Sequence, residues 1–258
     1  LLRNLFAYRF GFGPFLGHNF GNIFMAALEK LTGSFDKAVE KAGRVLDIKG
    51  EVIPVTLDKV RLAAILESGK EIKGEKNITK SRLLSKHKIR KLFLNPNAIA
   101  NPKAVKAIQK ADVIIIGPGD LYSSIVPNLL VNGIPQAIKK SKATKIYNSN
   151  LMTKHGHTNR FKVRDFSNVI EQYLGEGVLD YVTFNTKKPS STFLNRYAQE
   201  GEFVEPELDL LKDKRFIGAS LVSDKVNKQD PSDVLLQRTL IRHDSNKLTE
   251  LIIKLCKL

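Results

Sequence analysis

Four short stretches carry residues able to hold a small anionic ligand. The first is Gly117-Pro118-Gly119-Asp120-Leu121-Tyr122-Ser123-Ser124. It follows an apolar run and precedes a helical pattern. Glycines there let backbone approach a phosphate, and a helix start offers N–H groups and a positive dipole end. A tight turn with serine caps would use the same residues. The stretch is neither a Walker A loop, since no Gly-Lys-Ser/Thr follows, nor a GxGxxG fingerprint. Asp120 would repel a phosphate unless a metal ion or a base lies between them.

The second stretch is Asn148-Ser149-Asn150-Leu151-Met152-Thr153, where Asn150 and Thr153 could bond a base or sugar or simply form an Asx turn. His155 and His157 follow; two histidines on an irregular loop are a weak metal signal. The third is Gly17-His18-Asn19-Phe20-Gly21-Asn22, which suits an anion, a sugar or a capped loop. The fourth is Arg242-His243-Asp244, in which Arg242 could clamp phosphate and Asp244 could cap a helix. A serine hydrolase is excluded for want of a Gly-x-Ser-x-Gly elbow. Cys256 sits among apolar residues and reads as packing.

The elements that must position these residues follow from periodicity. Residues 21–31 read as a helix ended by Gly33, and residues 35–46 as a second one capped by Ser34. Residues 50–56 are strand-like. Residues 60–66 and 70–74 form a hairpin pattern, and residues 75–88 read as a polar loop. Beyond Lys88, strands alternate with helices: strands at 89–94, 112–116, 145–147, 179–185 and 216–222, and helices at 102–110, 127–130, 134–140, 166–174, 191–199 and 246–255. The run Asp112-Val-Ile-Ile-Ile116 has the composition of a central parallel strand covered on both faces. The expected fold class is therefore α/β, a Rossmann-like, doubly wound, mostly parallel sheet, in one domain over residues 1–258.

Length and composition narrow the function classes. With 258 residues and 42% hydrophobic residues, the chain can bury a sizeable core. No apolar run approaches the ~18–20 residues of a membrane helix. A single cysteine excludes an internal disulfide and fits a cytoplasmic setting. The net charge is +16, which suits an anionic partner. The densest basic block holds Lys80, Arg82, Lys86, Lys88, Arg90 and Lys91. No aromatic ladder accompanies it, so nucleic acid is not the expected partner. The first ten residues, LLRNLFAYRF, are broken by charge and do not form a signal peptide; they read as the inside of a domain.

Taken together and in order, these pieces resemble the YvcK/CofD-like superfamily, with the YvcK branch the closer match. The residues that carry the resemblance are Leu5 to Phe10, Gly17 to Asn22, Ala26-Ala27-Leu28, Leu31-Thr32-Gly33, and Val52 to Thr56. The strongest is GPGDLYSSIVPNLLVNG from Gly117 to Gly133, followed by Asn150 to Thr153, Asn185-Thr186, Tyr197 and Arg242-His243-Asp244. The resemblance implies a Rossmann-like cytoplasmic protein. In the YvcK branch it implies a regulator that binds UDP-sugars such as UDP-N-acetylglucosamine and supports cell shape and wall synthesis on gluconeogenic carbon sources. In the CofD branch it implies a magnesium-dependent transferase that moves a phospholactyl group onto a deazaflavin.

By this resemblance, Gly117, Gly119 and Ser123 are expected to cradle phosphate. Asn150, Thr153 and Tyr197 are expected at the nucleotide or sugar and Arg242 at the pyrophosphate, with His18, Asn19 and Asn22 at the mouth. Asp120, Tyr122, Met152 and Asn185 complete the expected contacts. No catalytic residue, metal ligand or required cofactor is expected, magnesium entering only under the transferase alternative. The partner is a nucleotide sugar, and a homodimer is compatible. The sequence departs from the family in four places: Asp120 for Ser, Ser123 for Thr, Asn132 for Pro, and Lys154-His155-Gly156-His157 for a Gln-Pro-Gly-Glu-like run. The family's Gly-Gly-Gly-Thr-Gly loop and Asp-Asp-Gly-Gly segment do not occur, so a first βαβ unit is expected to lie outside this chain.

Overall fold

In a computed structural model, residues 2–81, 87–223 and 241–257 are described. Arg82 and Lys86 of the basic block lie outside them. Lys88, Arg90 and Lys91 stand exposed on or beside a strand.

The parallel sheet has the order β4(Val113–Ile116), β5(Thr144–Asn148), β6(Tyr181–Asn185), β7(Phe216–Ala219). All its pairs are parallel, with Val113 opposite Thr144, Ile146 opposite Tyr181, and Val182 opposite Phe216. Between the strands run α6(Val126–Leu129) and α7(Ile134–Lys140), then α8(Val163–Leu174), then α9(Ser191–Tyr197). This is the α/β fold expected of alternating apolar strands and amphipathic helices. Every carboxyl end of the sheet points the same way, which is where open parallel sheets hold ligands.

The position of β4 differs from the expectation. It lies at the edge of the sheet among the described residues, and Ile115 is 48% exposed. Composition gave the element; pairing, which composition does not encode, set its place.

A second sheet is antiparallel, in the order β2(Glu71–Lys73), β1(Arg61–Leu66), β3(Ile89–Asn95). Leu62 opposes Leu94 and Ala64 opposes Leu92. The strand at 89–95 thus belongs to this sheet and not to the βαβ series. Residues 50–56 form no strand; Pro54 and Val55 instead give their carbonyls to the side-chain amide and backbone N–H of Asn101. Within the expected polar loop, α4(Glu75–Lys80) buries Ile78 completely. One apolar core joins the two sheets, running from Leu62, Leu66 and Leu92 to Tyr147, Phe166 and Phe184.

Ahead of the sheets stand α1(Leu2–Ala7), α2(Phe20–Thr32) and α3(Phe35–Val45). Asn19 caps α2, its Oδ1 accepting from the Asn22 N–H at 3.2 Å, and Gly33 ends it in the left-handed region. Helix α5(Pro102–Lys110) begins with proline at its first turn. Lys145 on β5 is buried; its ammonium donates to the carbonyls of Ser141 and Ala143 beyond the end of α7. The last helix is α10(Ser245–Cys256), capped by Asp244, which accepts from the N–H groups of Asn246 and Lys247.

Candidate functional site

Strands β4 and β5 end side by side, and the chain leaving each makes one wall of a cavity of about 720 Å³. From the β4 loop come Pro118, Gly119 and Asp120. From the β5 loop come Asn150 to His155. Tyr197 and Glu200, at and beyond the end of α9, close a third side, and Ile241, Arg242 and His243 a fourth.

The β4 loop turns as it does because Gly117 has φ +73°, where a side chain is strained; a Cβ there would also sit 3.1 Å from the Asn148 carbonyl oxygen. Asn150 ties the two loops together. Its Nδ2 donates to the Gly119 carbonyl at 2.8 Å, and its Oδ1 accepts from the Tyr147 hydroxyl at 3.2 Å. Thr153 is buried; its N–H donates to the Glu202 carbonyl, and its Oγ1 accepts from the Glu202 N–H at 2.8 Å. Met152 bridges to Phe203 beside it. These polar groups shape the wall more than they face a ligand.

Arg242 is placed through a relay of backbone bonds. Asn185 at the end of β6 accepts from the Leu221 N–H at 3.0 Å, and Leu221 in turn accepts from the Asp244 N–H. Ser223 donates to the Arg242 carbonyl. Asn185 is itself buried and also bonds both backbone groups of Lys187, so it acts on the cavity from behind.

The remaining expected residues lie elsewhere. Tyr122 packs against the core, and burial raises its hydroxyl pKa to about 12. Ser123 does not line the cavity. His18, Asn19 and Asn22 belong to the α2 start. Asn19 spends its side chain there, on the Asn22 N–H and on the carbonyls of Ala7 and Tyr8.

The structure also brings in Lys154 and Glu200, which sequence reasoning did not nominate as contacts, and it places His155 and His243 on the wall. Lys154 pairs its ammonium with the Asp120 carboxylate. His155, Glu200 and His243 line the wall with them. The run 154–157 stands out as a departure from the family pattern and as a weak His-x-His metal signal. Nothing in it shows that Lys154 would meet a residue 34 positions earlier.

The electrostatics are balanced. Among the described residues, Asp120 and Glu200 line the same space as Lys154 and Arg242, with Asp120 and Lys154 already paired. Tyr197 is buried and stays a neutral phenol, its pKa raised to about 12 by burial and then by Glu200 and Asp120. Burial lowers the His243 pKa to about 4, so its ring is neutral at pH 7. Its Nε2 is buried without a hydrogen-bond partner. Both ring nitrogens of His157, just outside the lining, share that condition, and burial lowers its pKa also. Among the described residues, no three His, Cys, Asp or Glu side chains gather as a metal site.

The comparisons with known proteins agree with one another. The model of the CofD family, described as 2-phospho-L-lactate transferase CofD, matches residues 1–226. A Thermotoga maritima protein carrying the gluconeogenesis-factor name is 44% identical over 258 residues, 100% of this chain and 78% of its own. The gluconeogenesis factor of Bacillus subtilis is 33% identical over 259 residues, again 100% of this chain and 78% of its own. A Clostridium acetobutylicum relative of the same name, 38% identical, is spanned over 54% of its length. The crystal structure of a UPF0052 family member from Bacillus halodurans superposes with a TM-score of 0.85 at 34% identity, over 98% of this chain and 78% of that one. With its parallel sheet, its Gly-Pro-Gly loop and these relatives, the chain belongs to the CofD family, among the gluconeogenesis factors.

Proposed function

We propose that this chain binds a nucleotide sugar of the UDP-N-acetylglucosamine kind and acts as a cytoplasmic regulator without turnover. In this reading it supports cell shape and wall synthesis during growth on gluconeogenic carbon. The observation that carries the proposal is the cavity at the carboxyl ends of β4 and β5. Its size lies within the roughly 300–1,000 Å³ of small-molecule sites. It offers an aromatic ring, Tyr197, for a base or sugar. It offers two cations, Arg242 and Lys154, for a pyrophosphate. It is also lined by His243, which burial keeps neutral.

The family description favours a second reading, a phospholactyl transferase. That chemistry calls on magnesium. The described cavity has two carboxylates, one of them already neutralised by Lys154, which is a poor donor set for a cation that prefers several oxygen ligands. Calorimetric titration of UDP-N-acetylglucosamine tests the first reading. Arg242→Ala should weaken binding by about 1.5–3 kcal/mol, the scale of a hydrogen bond to a charged group. Unchanged affinity removes Arg242 from the site. No binding by the unaltered chain removes the reading.

A further inference from the structure

The cavity poses a charge problem. An incoming diphosphate meets Asp120 on the very loop expected to receive it. Among the described lining residues, the two carboxylates, Asp120 and Glu200, match the two cations, Lys154 and Arg242, in number. Proteins commonly solve this with a divalent cation between carboxylate and phosphate.

Here the position beside Asp120 is already filled. The Lys154 ammonium lies on the Asp120 carboxylate, with the two side chains 34% and 19% exposed. The backbone beneath Lys154 is fixed. Its N–H donates to Thr158 Oγ1 at 2.8 Å, and its carbonyl accepts from the N–H groups of His157 and Thr158. The carboxylate side is fixed as well: the Asp120 carbonyl accepts from the N–H groups of Ser124 and Ile125, and Asn150 clamps Gly119 next to it. Between these two anchored backbones hangs a flexible four-carbon stem ending in three N–H donors. One donor satisfies Asp120, and the others remain available to a second set of oxygens.

The geometry points to Lys154 as the built-in counter-ion of this cavity, bridging Asp120 and the phosphates of a nucleoside diphosphate so that binding requires no divalent cation. Asp120 then serves as the seat that aims the ammonium, and the pair is a positioning and selectivity device. This inference rests on the nucleotide-sugar reading.

The test is titration of UDP-N-acetylglucosamine into the whole chain, once in EDTA and once in excess magnesium. The unaltered chain should bind equally well in both. Lys154→Met should lose about ten- to a hundredfold in affinity in EDTA, as befits a charged hydrogen bond removed and a carboxylate uncovered. Magnesium should restore part of that loss, because Asp120 is then free to hold it. Lys154→Arg should keep most of the affinity. Asp120→Asn placed on top of Lys154→Met should recover binding in EDTA. A thermal melt of each variant separates a lost contact from a lost fold. Two results overturn the inference while leaving the nucleotide-sugar reading intact: binding by the unaltered chain only with magnesium, or Lys154→Met binding in EDTA as tightly as its parent. Failure of the unaltered chain to bind in either buffer removes the underlying reading, and the inference with it.

Discussion

Two regions of this molecule use the same vocabulary, glycines ahead of a helix, and only one of them meets the cavity. At residues 17–22 the asparagine caps its own helix and the chain moves on; every bond of the Asn19 side chain stays within residues 7–22. At residues 117–124 the glycine loop is joined by three other stretches of chain, around 150, 197 and 242. Asn150 illustrates the difference. Its amide, like that of Asn19, is bonded at both ends, but one partner, Gly119, lies 31 residues away. What separates a site from a capped turn here is the convergence of distant segments on one space, and residue type alone does not report it.

That contrast can be broken at its strongest point first. Gly201 is buried where the chain after α9 crosses the β5 loop, and a Cβ there would collide with the Thr153 carbonyl. Gly201→Ala should destabilise the fold by about 3 kcal/mol, the upper range for overpacking. Chemical denaturation measures this directly, and a neutral result would show that the crossing is loose.

Next comes pH. His243 has its folded pKa lowered to about 4 from an ordinary value of 6.5, chiefly by burial. The unfolded chain therefore takes up a proton that the folded one refuses. Stability should fall as pH drops from about 6.5 toward 4, by about 1–2 kcal/mol between pH 7 and 5. The His243→Asn variant should show a flatter profile in urea titrations; an identical slope would assign the dependence to other groups, His157 beside Asp120 and Lys154 among them.

The smallest expected effect sharpens the comparison most. Asn19→Ala should cost about 1 kcal/mol of stability, as the loss of a helix cap does. It should leave nucleotide-sugar affinity untouched, in contrast to Arg242→Ala. A change in affinity would bring the α2 start back to the mouth of the cavity.

Much of the fold was legible in the sequence, for reasons that mark where legibility ends. Asp112-Val-Ile-Ile-Ile116 followed by Gly-Pro-Gly announces a strand and its turn, because apolar runs and glycine turns are local signals. The same residues say nothing about which strand lies alongside, and β4 stands at an edge. The Val-Ile-Pro-Val run at 52–55 has strand composition, but its hydrogen bonds go to Asn101, 47 residues on from Pro54. Helix α4 was hidden by its polar composition, with Ile78 its one buried anchor among the described side chains. In the site, Tyr197 and Arg242 were reachable by resemblance. Lys154 was not, since its role exists only in relation to Asp120. Asn185 was nominated as a contact and stands instead behind the wall, where burial and backbone partners occupy it.

One lysine gives the chain's charge a further meaning. Lys145 counts toward the net +16, yet its ammonium is enclosed at the end of α7, where it meets the negative pole of that helix. Its hydrogen bonds are made inside the molecule, so it offers an anion no direct contact from the surface. An acylating reagent in solution should reach this amine far more slowly than the exposed lysines, and faster when the corner between α7 and β5 opens. Lys145 is therefore a native reporter of local opening in the scaffold beneath the cavity, slow to react while the sheet is closed.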